Sequence, residues 1–208
     1  MWYLAVLAFV CSYLLGNLNG AVIVSSVYAH DDVRTHGSGN AGLTNFIRTY
    51  GPQIAIYVIL IDVGKGILAC FASGMLLAAY GYTEGVALGA LGVIIGHAFP
   101  ALLGFKGGKG ILTGVTVACM MDWRIGLLVF GIFLVAYILT GYDSLGSVLS
   151  AGSFGFLYWW ANPNAGLFPI CVALFLSVMV VWMHRSNIVR LVKGQERKTN
   201  LLKKGKSE

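Results

Sequence analysis

Seven stretches of this chain, residues 2–24, 52–75, 82–99, 108–121, 124–140, 143–160 and 166–184, are apolar runs that constrain the fold to helices in lipid. About 20 apolar residues in a helix cross a hydrocarbon core of about 30 Å. Backbone groups there must pair within their own segment, which favours helices. The 208 residues are 58% hydrophobic and 11% charged, with a mean hydropathy of +0.80. A soluble domain of this length could not bury so much apolar surface. The sequence therefore predicts an all-α integral membrane protein. Several windows are short or touch, so six to eight crossings fit the pattern, and seven is the count adopted.

The net charge of +6 is not a nucleic-acid signature, because eight of the 14 Lys and Arg follow Trp182. They are Arg185, Arg190, Lys193, Arg197, Lys198, Lys203, Lys204 and Lys206. Basic residues beside a membrane helix mark the cytoplasmic side. This predicts a cytoplasmic C-terminus and, with seven spans, an N-terminus outside. Inner loops then hold Arg34, Arg48, Lys106 and Lys109, and outer loops hold Arg124. The opening Met1-Trp-Tyr-Leu-Ala-Val-Leu7 carries no Lys or Arg. It lacks the basic region of a signal peptide, so the first helix is expected to be permanent. Cys11, Cys70, Cys119 and Cys171 have no metal-ligand spacing and read as small core residues. No repeat or linker is visible. One domain over residues 1–208, with a basic cytoplasmic tail from about 185, is expected.

Four polar clusters interrupt the apolar pattern: Arg34-Thr-His-Gly-Ser-Gly-Asn-Ala-Gly-Leu-Thr-Asn-Phe-Ile-Arg48, Gly104-Phe-Lys-Gly-Gly-Lys-Gly110, Tyr142-Asp-Ser-Leu-Gly-Ser147 and His184-Arg-Ser-Asn187. Under the charge-based topology all four lie at cytoplasmic helix ends, as one composite site requires. Gly37-Ser-Gly-Asn-Ala-Gly42 matches G-x-G-x-x-G, but a dinucleotide site needs a preceding strand and a βαβ unit. Membrane helices flank it here. What survives is a glycine-rich loop entering a helix, with Ser38, Asn40, Thr44 and Asn45 as donors. Arg48 follows about one turn along, where helix N-termini favour anions.

The second cluster is not a Walker A loop, since Leu103 stands for its first glycine and Gly110 for its Mg²⁺-binding hydroxyl. Its glycines predict backbone N–H groups curled around an oxyanion, with Lys106 and Lys109 supplying charge. Phosphate binding without nucleotide hydrolysis follows. Ser144 and Ser147 taken alone are ordinary helix-end serines. His184 and Asn187 share a helical face. Asp62 and Lys65 fall within a span, where charges are costly. They read as a structural ion pair beneath the site, with a direct role in binding left open. No H-x-x-x-x-D, G-x-S-x-G, H-E-x-x-H or metal cluster occurs, so the chain offers a phosphate clamp without an obvious nucleophile.

Taken together, the loop Gly37–Asn45, the loop Gly96-His…Pro100…Gly104–Gly110, the segment Tyr142–Ser147 and the tail His184–Glu196 resemble the bacterial acyl-phosphate-dependent glycerol-3-phosphate acyltransferases. Asp62-x-x-Lys65-Gly66 belongs to the same resemblance, which runs to about Glu196. It implies a seven-span enzyme of the bacterial cytoplasmic (inner) membrane, working on the cytoplasmic face. The reaction implied moves a fatty acyl group from acyl phosphate to the first hydroxyl of glycerol 3-phosphate. Lysophosphatidic acid and phosphate are the products, at the start of phospholipid synthesis. By position, Ser38, Arg48, Lys109, Ser144, His184 and Asn187 match the residues expected to line the active site. Gly37, Gly39, Asn40, Thr44, Asn45, His97, Lys106, Gly107, Gly108 and Gly110 are expected to bind substrate. No cofactor or metal is implied, and a soluble enzyme supplying acyl phosphate is the partner envisaged. Leu43 and Gly146 depart from the family's usual residues in packing rather than chemistry.

An acyl phosphate is already activated, so direct attack by the glycerol hydroxyl needs no covalent acyl-enzyme. Ser38 or loop amides would steady the oxyanion, and the departing phosphate or His184 would take the proton. The rival classes are an organic-anion transporter, which usually binds near the bilayer midplane, and a scaffold holding anionic lipids through its basic tail.

Overall fold

The computed structural model describes residues 2–198, which are all-α apart from turns and loops. Lys203, Lys204 and Lys206 of the expected tail lie outside the described residues. The helices are α1 (Trp2–Asn17), α2 (Gly20–Ala29), α3 (Leu43–Tyr50), α4 (Ala55–Leu76), α5 (Tyr82–Ala98), α6 (Ile111–Met121), α7 (Trp123–Thr140), α8 (Asp143–Ala161), α9 (Leu167–Met183) and α10 (Arg185–Val192). Their limits follow local chemistry. Asn19 caps α2 by accepting from Val22 N–H at 3.0 Å, and Asp122 caps α7 by accepting from Arg124 N–H at 3.0 Å. Both satisfy amides that a helix start leaves unpaired. Gly141 ends α7 at φ 77°, a left-handed conformation that costs glycine little.

Helix α5 is the axis of the bundle, and glycines let its neighbours close on both sides. A Cβ at Gly96 would stand 3.0 Å from the Gly16 Cα of α1, and one at Gly85 would stand 2.9 Å from the Gly74 Cα of α4. Small residues allow this backbone approach where no water drives association. Gly96→Ala is expected to push α1 off α5 and cost about 1–3 kcal/mol, read as a lower melting temperature in detergent. Gly131→Ala, with nothing within 4 Å of the added carbon, should leave that temperature unchanged or raise it.

By length and composition, four stretches can cross a membrane: Trp2–Ala29, Ala55–Leu76, Tyr82–Leu103 and Trp123–Thr140. Helices α9 and α10, bent by 56° at His184, make a fifth if taken as one span. The expected count of seven is therefore not met on this criterion among the described residues. Window 108–121 becomes an α6 of 11 residues that starts only at Ile111. Window 143–160 becomes an α8 diluted by Ser144, Ser147, Ser150 and Ser153. The first window runs on to Ala29, past a break at Leu18 and Asn19.

The cysteine expectation also needs correction. Cys70 is buried and Cys119 half-buried, but Cys11 and Cys171 are exposed. The outer surface of such a bundle is as apolar as its interior, so hydrophobicity does not tell the two sides apart. Exposed Trp2, Tyr80, Tyr82, Trp123 and Trp160 stand where α1, α5 and α7 begin and α4 and α8 end. Aromatic residues gather in this way at a membrane boundary. Asn162 donates to Asp122 Oδ2 at 3.0 Å across the same end. The opposite end collects the polar loops.

Candidate active site

The first glycine loop is braced before it can bind anything. Asn45, the third residue of α3, turns its amide back into the loop. Its Oδ1 accepts from Ser38 N–H at 2.9 Å, and its Nδ2 donates to the carbonyls of Val33 (3.0 Å) and His36 (3.1 Å). With both donors committed and the side chain buried, Asn45 holds the loop instead of offering a free amide to substrate. Gly37 and Gly39 make the turn at φ 57° and 69°, and leave Ser38 exposed. Asn40 and Thr44 line the same loop. Arg34 grips Asp32 and donates to the carbonyls of Leu103 (2.9 Å) and Lys106 (3.3 Å), tying the first loop to the second.

In the second loop the expected amide cradle is overturned at two positions. Gly107 N–H donates to Ala98 O at 3.2 Å and Gly108 N–H to His97 O at 3.1 Å. Those donors are spent on the chain itself. What Gly108 supplies is nearness, because a Cβ there would lie 2.6 Å from Ala41 O of the first loop. The amides that remain for an anion are the first N–H groups of α6, which have no partner within the helix. Gly110 delivers them at φ 81°. The Lys106 side chain points away into the exposed surface, whereas Lys109 turns inward.

Around Lys109 the four polar clusters meet. Its ammonium donates to Asn187 Oδ1 of α10. Asn187 Nδ2 donates to Glu196 Oε1 at 2.8 Å, and Arg190 Nε donates to Glu196 Oε2 at 2.6 Å. Arg48 reaches Asp143 at 3.4 Å, joining α3 to the start of α8. Ser144 Oγ is buried within electrostatic reach of Glu196 but closes no hydrogen bond. His184 holds Val180 O at 2.8 Å through Nδ1. A carbonyl only accepts, so this nitrogen carries the proton and Nε2 is the basic one. Burial pushes the Lys109 ammonium below the usual lysine range, and Arg190 adds to this. Glu196 and Asp143 pull the other way.

Arg48, Lys109, Ser144, His184 and Asn187 thus come together as the sequence pattern anticipated, while Ser38 stays on its loop and His97 lies buried below. Asp143, Arg190 and Glu196 are additions. Their one advance signal was position: Asp143 sits inside the third polar cluster, and Arg190 and Glu196 lie in the tail His184–Glu196 that carries the family resemblance. Burial raises Glu196, but hydrogen bonds from Arg190 and Asn187 outweigh it and hold the carboxyl below its ordinary 4.5. A lowered carboxyl contributes stability that is present above its unfolded value and fades as pH falls through its folded one. Hydrogen exchange in residues 193–198 should therefore rise on acidification below about pH 4.5. Glu196→Gln should show the raised exchange already at neutral pH.

The fold and site together define a helical membrane-type protein that gathers Lys and Arg around glycine loops at one end. The chain belongs to the glycerol-3-phosphate acyltransferase family, whose sequence pattern matches residues 6–194. The glycerol-3-phosphate acyltransferase of Clostridioides difficile (strain 630) is 40% identical over 191 residues, 91% of this chain and 92% of that protein. That of Prochlorococcus marinus (strain MIT 9215) is 36% identical over 201 residues, covering 94% and 98%. The crystal structure of PlsY (YgiH), an integral membrane glycerol 3-phosphate acyltransferase, in its glycerol 3-phosphate form superposes with a TM-score of 0.85 at 27% identity. The match covers 95% of this chain and 96% of that one. A lysophosphatidic acid form of the same enzyme gives a TM-score of 0.81.

Proposed function

We propose that this chain moves a fatty acyl group from acyl phosphate to the first hydroxyl of glycerol 3-phosphate, releasing lysophosphatidic acid and inorganic phosphate. The observation that carries the reading is the half-buried Lys109, set among Arg48, Arg190 and His184 beside the free amides of α6. Two phosphorylated substrates repel each other, and such a cluster offsets that repulsion while fixing both. A narrow apolar groove, partly open to the surface, starts at Gly110 and Ile111 and is lined from α5 to α9, with Phe154 and Val180 in its walls. It suits an acyl tail attached to a phosphate held by the loop. The hydroxyl attacks the acyl carbonyl directly, the C–O bond to phosphate breaks, and the departing phosphate or His184 Nε2 takes the proton.

Ser38, Arg48, Lys109, Ser144, His184 and Asn187 form the reacting surface in this reading, with Ser38 steadying the oxyanion. Seven helices, α1 and α4–α9, cross the inner membrane of a bacterium with the N-terminus outside. The site and the basic tail then face the cytoplasm, where a soluble enzyme supplies acyl phosphate. Gathering of the polar groups at one end favours this over a transporter. Purified protein in detergent, given palmitoyl phosphate and labelled glycerol 3-phosphate, should form labelled lysophosphatidic acid and phosphate. It should form none from palmitoyl-CoA or palmitoyl acyl-carrier protein. Product from palmitoyl-CoA alone would transfer the proposal to a different donor. A stable acyl group trapped on Ser38 or Ser144 would replace direct attack with a covalent route.

A further inference from the structure

Beneath the two glycine loops lies a set of ionisable groups that the transfer step above does not use. Asp62, Lys65 and His97 are 2%, 4% and 3% exposed, so each needs its partners inside the protein. Lys65 Nζ meets Asp62 Oδ1 at 2.7 Å, Leu18 O at 2.8 Å and His97 Nδ1 at 2.8 Å. An ammonium has three donors and no acceptor; with Gly16 O as a further, longer partner at 3.4 Å, every donor is committed inside the protein. Asp62 Oδ1 also accepts from Gly20 N–H at 3.1 Å, which anchors the pair across the break between α1 and α2.

The consequence falls on His97. Its Nδ1 faces an ammonium and must accept, so the neutral ring carries its proton on Nε2. This is the assignment the hydrogen-bond pattern permits. Nε2 closes no hydrogen bond among the described residues, although the ring is almost wholly buried. It lies directly under Gly108, where an added Cβ would overlap it and would also meet Ala41 O of the first loop at 2.6 Å. Glycine at 108 lets the second loop close directly on the ring, which sets Nε2–H at the junction of the two loops. Gly110 lies on the same side of the ring, its notional Cβ 3.8 Å from Cδ2.

We propose that Asp62 and Lys65 are positioning residues that fix His97 as an Nε2–H donor to a substrate phosphate oxygen held between the two glycine loops. The proposal rests on the phosphate-binding reading of those loops given above. Sequence spacing suggested a structural ion pair and left a role in binding open; the structure gives that pair an acceptor, a tautomer and a direction. A neutral donor suits this position, since it adds a hydrogen bond without further charge beside Lys65.

The test labels the four histidines with ¹⁵N and assigns His97 as the signal that remains when those of His30, His36 and His184 are each identified by single substitution. Wild-type His97 should show an Nε2–H tautomer, and its Nε2–H signal should move as inorganic phosphate is added. His97→Asn keeps an acceptor for Lys65 but has no donor at the Nε2 position. It should raise KM for glycerol 3-phosphate roughly tenfold or more, with kcat little changed, because a uniform binding contact is lost. His97→Gln, which restores a donor there, should recover part of that loss. A proton on Nδ1, or an Nε2 signal indifferent to phosphate in protein that forms lysophosphatidic acid, overturns the proposal. The tautomer and titration are read in wild type without an acyl donor. They therefore stand if the variants fail to fold, and they separate this proposal from the choice of donor.

Discussion

Lys109→Ala should lower the rate of acyl transfer by about 10²–10³-fold in a protein that keeps its helices and its melting temperature. The size follows from the surroundings of the ammonium. Lys109 stands in a half-buried site, and the groups that act on its charge are Arg190, Glu196, Asp143 and Arg48. In such a site a fixed charge acts more strongly than in water and needs no reorganisation as the phosphate leaves. The fold should survive because Lys109 lies in the loop ahead of α6, and its removal frees Asn187 Oδ1 without opening the core. Lys109→Arg should recover only part of the rate, since a planar fork does not replace a point charge directed at Asn187. Because burial holds the ammonium below the usual lysine range, activity should fall on the alkaline side earlier than an exposed lysine would dictate. Steady-state rates of lysophosphatidic acid formation across pH, beside circular dichroism of the variants, check all three. Unchanged turnover in Lys109→Ala would remove the residue from the chemistry.

The second large effect concerns stability. Asp62→Leu should cost about 3–5 kcal/mol, because it leaves the Lys65 ammonium buried without its countercharge. At 2% and 4% exposure neither group can turn to water. Asp62→Leu/Lys65→Met removes both charges together and should regain most of that loss, since replacing a whole buried pair is often neutral. The double variant should fold and still bind phosphate poorly, because nothing then fixes the His97 tautomer. Thermal unfolding in detergent measures the first part and KM for glycerol 3-phosphate the second. A double variant with wild-type KM would reduce the pair to a structural plug.

The apolar windows carried most of the fold, since helices in lipid have to be apolar along their length. They carried less about where helices stop. The short α3 and α10 are amphipathic and end at Gly51 and Lys193, so a span-length window passes over them. Helix α2 was hidden because the first window, 2–24, runs straight across Asn17, Leu18 and Asn19, where α1 stops before the chain resumes as α2 at Gly20. The candidate site was legible as four clusters because polar residues such as Arg48, Lys109 and His184 stand out in so apolar a chain. The use of each atom was not legible. Gly107 and Gly108 advertise free amides by composition, yet their N–H groups bond to Ala98 and His97. Asn45 advertises an amide donor and spends it on Val33 and His36. Such choices depend on contacts between distant segments, which spacing within one segment does not encode.

Arg48 meets Asp143 across 95 positions of sequence, and Lys109 meets Asn187 across 78. Asn187 and Arg190 are in turn held by Glu196, near the end of the family's shared length. A chain emerging from the ribosome therefore carries both glycine loops long before it owns the residues that complete the cation cluster. The cluster closes only once α9 and α10, bent by 56° at His184, are in place. On the proposed reading, a prematurely ended chain is a bundle of apolar helices without a complete cation cluster, and synthesis itself times the onset of activity.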